Sequence, residues 1–194
     1  MAKQNEEGVV FLRGRRVILR PPTKEDIPHF LRWMNDQEVT RYLVAYLPMT
    51  ETDEVEWLER LHKKKNDGVV LVIVDAKNRK PIGLMGIHEI DWKDRRAMTG
   101  AVIGEKSYWG KGYGTEAKML LLKYAFNTLN LRKIVSRVIS FNRRSKAYSK
   151  KCGYKVEGVL KKDIFKDGEY HDLICMAVFK DDWLPLWEKF RKAK

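Results

Sequence analysis

The chain has 194 residues, 39 Lys or Arg against 26 Asp or Glu, and a formal net charge of +13. Its 44% hydrophobic and 11% aromatic content suffices for one packed core, which excludes bulk disorder and fits one domain better than two. No apolar run approaches the roughly 18 residues that cross a bilayer, residues 1–7 show no leader-like stretch, and Cys152 and Cys175 make neither a disulfide framework nor a zinc site; a cytoplasmic protein without a metal is expected.

Val17-Ile18-Leu19 is a short apolar run stopped by Pro21-Pro22 and reads as a strand. Thr23, with Asp26 three residues on, reads as a helix cap. Ile27, Phe30, Leu31 and Met34 then fall on one helical face. A second helix is expected after Thr50 or Thr52, with Val55, Leu58 and Leu61 inward. The β-branched run 69–74, a strand over 82–90 and another near 97–103 are separated by short polar turns, which predicts an antiparallel meander. After a loop at 104–114, a long helix is expected to about Leu129, with Met119, Leu122, Phe126 and Leu129 on one stripe. A strand over 134–139, a short helix over 143–152 capped by Gly153, and two strands joined at 166–169 complete the order. One domain over 1–194 is expected, with its core at about 13–180 and a helical extension over 181–194.

The charge is unevenly spread. Pro21 to His62 holds four basic and nine acidic residues, a net of −5, whereas 118–156 holds eleven Lys or Arg and no Asp or Glu. A basic surplus fits nucleic acid, an acidic membrane or a phosphorylated ligand. The stretch Trp109-Gly110-Lys111-Gly112-Tyr113-Gly114-Thr115-Glu116-Ala117 narrows the choice. Glycines at alternate positions opening a helix let backbone N–H groups approach phosphate oxygens, helped by the helix dipole; the alternative is a plain surface turn. The G-x-x-x-x-G-K-S/T phosphate loop fails, because Gly112 follows Lys111. Gly112-x-Gly114-x-x-Ala117 matches a dinucleotide fingerprint, but the next strand carries Arg137 and no carboxylate.

These residues resemble the GNAT acyltransferase superfamily. Its Arg/Gln-x-x-Gly-x-Gly/Ala hallmark matches 109–114, with Trp109 in the Arg/Gln place, and Asn142-Arg143-Arg144-Ser145 with Gly153-Tyr154 resembles its second motif. Within the superfamily the chain is similar to the branch of ribosomal-protein N-terminal and spermidine/spermine acetyltransferases. The residues that carry this are Leu19-Arg20-Pro21, the 82–91 strand, the 108–117 loop and Asp167-Gly168-x-Tyr170-x-Asp172. The resemblance implies a mixed α/β fold with a central sheet of about seven strands and about four helices. It also implies acetyl transfer from acetyl-CoA to an amine by direct attack. The loop residues Gly110, Lys111, Gly112, Tyr113, Gly114 and Thr115 would hold the pyrophosphate. Ala101, Val102 and Ile103 would pair with the pantetheine arm. Asn142 and Ser145 would lie near the thioester, with Arg144 and Lys151, beside Arg143 and Lys150, as candidates for the phosphates.

An alkyl amine with a pKa near ~10.4 must lose a proton before it attacks, and the leaving thiolate must gain one. Many relatives place a Tyr seven residues after the Asn; here Ser149 stands there and Tyr148 one place earlier. Glu89 is the best remaining carboxylate for the base, with His88 facing the opposite way and water-mediated proton loss an alternative. The candidate catalytic set is therefore Glu89, Ser149 and Asn142. The first expectation for the acceptor is a protein N-terminal α-amine, whose pKa of roughly 7.7–8.0 asks little of a base. The second is a polyamine or other small cationic amine, which the acidic early segment suits. The third is a non-catalytic RNA- or ribosome-binding module. Membrane partners are not expected, nucleic acid only through a ribosomal substrate, and a homodimer is left open.

Overall fold

The β-branched runs and their polar turns build one eight-stranded sheet in a computed structural model that describes residues 9–63 and 67–193. The stretch 1–7, read above as having no leader, lies outside the described residues. In chain order the strands are β1 (Leu12–Arg13), β2 (Val17–Arg20), β3 (Gly68–Asp75), β4 (Pro81–Asp91), β5 (Arg96–Ile103), β6 (Lys133–Ile139), β7 (Lys155–Lys166) and β8 (Glu169–Phe179). Their order across the sheet is β1-β2-β3-β4-β5-β6-β8-β7. The expected meander is β3-β4-β5. Every neighbouring pair is antiparallel except β5 and β6, which run parallel.

Side-chain alternation along the strands feeds two separate cores. Val17, Leu19, Leu71 and Ile73 point to one face, beneath α4 (Tyr113–Asn127), α5 (Arg143–Lys151) and α6 (Lys180–Lys192). Ile18, Val72 and Val74 point to the other, beneath α1 (Ile27–Met34), α2 (Gln37–Thr40) and α3 (Glu51–Lys63). With both faces covered, β3 needs no polar alternation, which explains its continuous apolar run.

Among the described residues there are eight strands rather than about seven, and six α-helices rather than about four. The unforeseen elements are the two-residue β1 and the single-turn α2, both too short to show a period; the sixth helix, α6, falls on the helical extension expected over 181–194. The Thr23–Asp26 capping box is present, but it encloses a 3-10 turn ahead of α1. Asp26 is buried and takes two hydrogen bonds from the Arg20 guanidinium, at 2.7 and 2.6 Å. The buried face of α1 carries Trp33 beside Ile27 and Phe30, while Leu31 and Met34 are only partly covered. Trp33 rotates the stripe because it packs on bare backbone: a Cβ at Gly104 would stand 2.1 Å from its ring. α4 ends at Asn127, two residues early, where the N–H groups of Thr128 and Leu129 both turn back to the Tyr124 carbonyl. It is buried from Glu116 through Leu122 rather than on one stripe, because α5 and α6 flank it.

Candidate active site

The site begins where two parallel strands part. β5 pairs with β6 only through Arg96, Ala97 and Met98, opposite Lys133, Ile134 and Val135. Beyond that point β5 stays with β4 up to Ile103, while β6 follows β8 to Ile139. The free edge of β5 from Thr99 onward therefore has no strand partner. A cleft of about 330 Å³ opens there, walled by Ala101, Val102 and Ile103, the glycine loop, α5, and Val39, Tyr42 and Leu43 at and after α2.

The glycine loop forms one end of the cleft, with a geometry suited to an anion. Gly110 and Gly112 take φ of +74° and +87°, left-handed values that favour glycine. Gly112 is the N-cap of α4 and no side chain caps the first turn, so its leading N–H groups are left for a ligand. A Cβ at Gly110 would meet nothing within 4 Å, so the space over the loop is open. These features fit a pyrophosphate. Arg16 braces the loop: its guanidinium donates to the Lys111 carbonyl at 3.0 Å and pairs with the buried Glu116 at 3.2 Å. It also lies 5.0 Å over the Tyr113 ring. Trp109, in the place of the hallmark Arg or Gln, donates from its indole N–H to the Ile103 carbonyl at 2.6 Å, tying loop to strand.

α5 supplies the opposite wall. The Asn142 side chain caps the helix by accepting the Ser145 N–H at 3.0 Å. Asn142, Arg144, Ser145, Tyr148 and Lys151 line the cleft. The Arg144 guanidinium stacks 3.8 Å from the Trp109 ring centre and 4.6 Å from that of Tyr42, joining α5 to the loop and to the wall after α2.

Of the residues singled out from sequence, the structure brings together Ala101, Val102, Ile103, Gly110, Gly112, Gly114, Thr115, Asn142, Arg144, Ser145 and Lys151. Lys111 and Tyr113 belong to the loop but do not wall the cleft. Ser149 points away: it is fully buried, does not wall the cleft, and its hydroxyl has no hydrogen-bond partner among the described residues. One residue earlier, about 100° around the helix, Tyr148 takes the cleft-facing position; burial pushes its phenol well above the ordinary value. Glu89 is exposed, at φ +51° in the bulge before Asp91, and lies outside the cleft. Sequence reasoning missed Arg16, Val39, Tyr42, Leu43 and Tyr108, which reach the site from loops and short turns without a period.

Below the parting strands lies a polar knot. Thr99 sits on β5 one residue past the last parallel pair. Its hydroxyl accepts from the Lys118 ammonium at 2.7 Å and lies 3.0 Å from the Tyr154 hydroxyl. Lys118 is fully buried, over the rings of Tyr148 and Tyr154 at 5.6 and 5.5 Å. Burial pulls its ammonium down to about 8. Cys152 is buried too, and burial pushes its thiol up to about 12, which leaves it a packing group rather than a nucleophile. Among the described residues no His, Cys, Asp and Glu cluster could hold a metal, and no helix is long and apolar enough to cross a membrane.

A parted parallel pair, an uncapped glycine-led helix beside it and an Asn-capped helix opposite define an acyl-CoA-dependent N-acyltransferase. The chain belongs to the GNAT acetyltransferase family: the family profile described as Acetyltransferase (GNAT) domain matches residues 16–155. It is 31% identical over 170 residues to the spermidine N(1)-acetyltransferase of Escherichia coli K12, covering 87% of this chain and 88% of that one. A Bacillus subtilis protein provisionally named a ribosomal N-acetyltransferase is 31% identical over 101 residues, 52% of this chain and 55% of that one. Among solved structures, Vibrio cholerae spermidine N-acetyltransferase in complex with CoA and spermine superposes with a TM-score of 0.78 at 28% identity, covering 87% and 98% of the two chains. The protein is an acetyl-CoA-dependent N-acetyltransferase.

Proposed function

We propose that the acceptor is a polyamine or a similar small polycation, acetylated on a primary amine. One observation carries this: the wall contributed by Val39, Tyr42 and Leu43 belongs to the span 21–62, which nets −5, while the opposite wall, α5, is basic. A cation is drawn to the first wall and the anionic coenzyme to the second. The spermidine acetyltransferase relatives, which match most of the chain, support the same choice. The protein N-terminus, put first on sequence alone, now stands second, since the ribosomal-type relative matches about half the chain.

In this reading the first-turn N–H groups of α4 hold the pyrophosphate, with Arg16 and Lys151 adding positive charge. The free edge of β5 at Ala101, Val102 and Ile103 aligns the pantetheine arm, and places the thioester near Asn142 and Tyr148. Tyr148 stays protonated over the working range and donates a hydrogen bond to the departing sulfur. The attack is direct, so no enzyme nucleophile is needed. The test is thiol release from acetyl-CoA with spermidine, spermine, N-terminal peptides and an aminoglycoside. Polyamines should exceed peptides at least tenfold in kcat/KM; a peptide that exceeds the polyamines would overturn the reading.

A further inference from the structure

We propose that His88 is the general base that takes the proton from the acceptor ammonium, directly or through one water. The inference rests on the acetyl-transfer reading above.

The geometry comes from an unusual cross-strand pair. In the β4/β5 ladder, His88 lies opposite Met98, Gly86 opposite Gly100 and Leu84 opposite Val102. Alternation puts these six residues on one face of the sheet, the one covered by α1. Two glycines facing each other weaken a sheet and leave bare backbone, a pattern that marks close approach of another group. Here that group is the imidazole. Its Cε1 and Nε2 both lie 2.8 Å from where a Gly86 Cβ would stand, and Nε2 lies 3.4 Å from the same point on Gly100. The ring thus leaves its own row and reaches along the glycine strip toward Val102, which walls the cleft about 7 Å further on. In the proposal, the acceptor amine enters this space between the ring and Val102 and closes the remaining gap directly or through one water.

The ring is also chemically available. Among the described residues neither nitrogen hydrogen-bonds to protein, so one can accept a proton from outside. The imidazole is half-buried, and burial holds its pKa below the ordinary value. Two charges act on it: Glu89, next in sequence, favours the protonated ring, and Lys118 on α4 disfavours it. The net direction leaves the ring neutral, and hence basic, at pH 7. His88 is not itself among the residues that wall the cleft, and those residues include no carboxylate, imidazole or thiol, so the base must act from beside the wall, as the ring does from the glycine strip.

The balance closes without another reactant. His88 takes one ammonium proton and later returns it to solvent. The amine nitrogen forms its bond to the acetyl carbon as the C–S bond breaks, and the second proton it sheds neutralises the thiolate.

The experiment compares wild type with His88→Gln across pH 6.5–9.5, reading kcat/KM for spermidine and the thermal shift with CoA. At pH 7 His88→Gln should lose about 10²–10⁴-fold in kcat/KM and keep its CoA shift. The deficit should shrink about tenfold per pH unit as the amine approaches its own pKa near ~10.4. A deficit constant across pH, or activity within threefold of wild type, overturns the proposal. Should His88→Gln fail to fold, the wild-type rate profile decides: its acid limb should coincide with the His88 ring titration seen by NMR, and a limb elsewhere overturns the proposal. Wild type that acetylates no amine at all would instead refute the acceptor reading, a separate failure.

Discussion

Lys118→Met should make the protein more stable. Lys118 is fully buried, its ammonium has one hydrogen bond, to Thr99, and no carboxylate among the described residues pairs with it. Moving its pKa from 10.5 to about 8 corresponds to about 3 kcal/mol against the folded state at pH 7. Methionine has nearly the same length, carries no charge and packs well between the two tyrosine rings. It forfeits the Thr99 hydrogen bond, worth about 1 kcal/mol. The net gain is about 2 kcal/mol, or roughly 4–8 °C in Tm for a domain of this size. The pH dependence gives a second readout. The folded-state pKa is the lower one, so between about 8 and 10.5 the unfolded chain binds a proton that the folded protein has released. Wild-type stability relative to Lys118→Met should therefore rise with pH across that window and stay flat below it. Urea unfolding of both proteins at several pH values measures this. A variant less stable than wild type by 2 kcal/mol at pH 7, or a difference that does not vary between pH 8 and 10.5, would refute the reasoning.

Gly112→Val places a β-branched residue at φ +87°, with Arg16 Nη2 3.0 Å from the new Cβ; a strain of at least ~1–2 kcal/mol should accompany loss of the CoA thermal shift. Arg16→Ala leaves Glu116, 3% exposed, without its ion pair. Because Arg16 is itself half-exposed, the expected cost is about 1–2 kcal/mol, with a fall in CoA affinity measured by calorimetry. Asp26 gives the same sign of pH dependence as Lys118, stability rising with pH, but in the acid range. Burial opposes its ionisation, but the Arg20 hydrogen bonds and the Thr23 N–H outweigh it and hold the carboxyl below its ordinary value. That stability is present above the unfolded carboxyl pKa of about 3.9 and lost as pH falls through the folded value. Asp26→Asn should cost about 3 kcal/mol at pH 7, and the difference from wild type should narrow in acid unfolding.

The coenzyme half of the site was legible because its chemistry is local. Alternating glycines ahead of α4 and an Asn three residues before Ser145 are backbone devices, and such devices have fixed spacing. The acceptor half is built across distance. Val39, Tyr42 and Leu43 are set by packing of α2 on the sheet; in the coenzyme half the same holds for Arg16 alone, which reaches the loop across 100 residues of sequence to Glu116. The bulge that turns Glu89 out to solvent shows only as a register shift between β4 and β5. Whether Tyr148 or Ser149 faces the cleft depends on how α5 rolls against α4, a rotation that its largely polar sequence leaves undetermined. Trp33 was missed on α1 because its partner is the bare backbone of Gly104, which no hydrophobic pattern records.

The central claim is that this cleft moves an acetyl group from coenzyme A to a polyamine. The most direct test is purified protein with acetyl-CoA and spermidine, with the product followed by mass spectrometry alongside free thiol. One acetyl group on a primary amine of spermidine for each thiol released is the predicted result. No acetylated spermidine and no thiol above the rate without protein, under conditions where CoA raises the Tm, would contradict it.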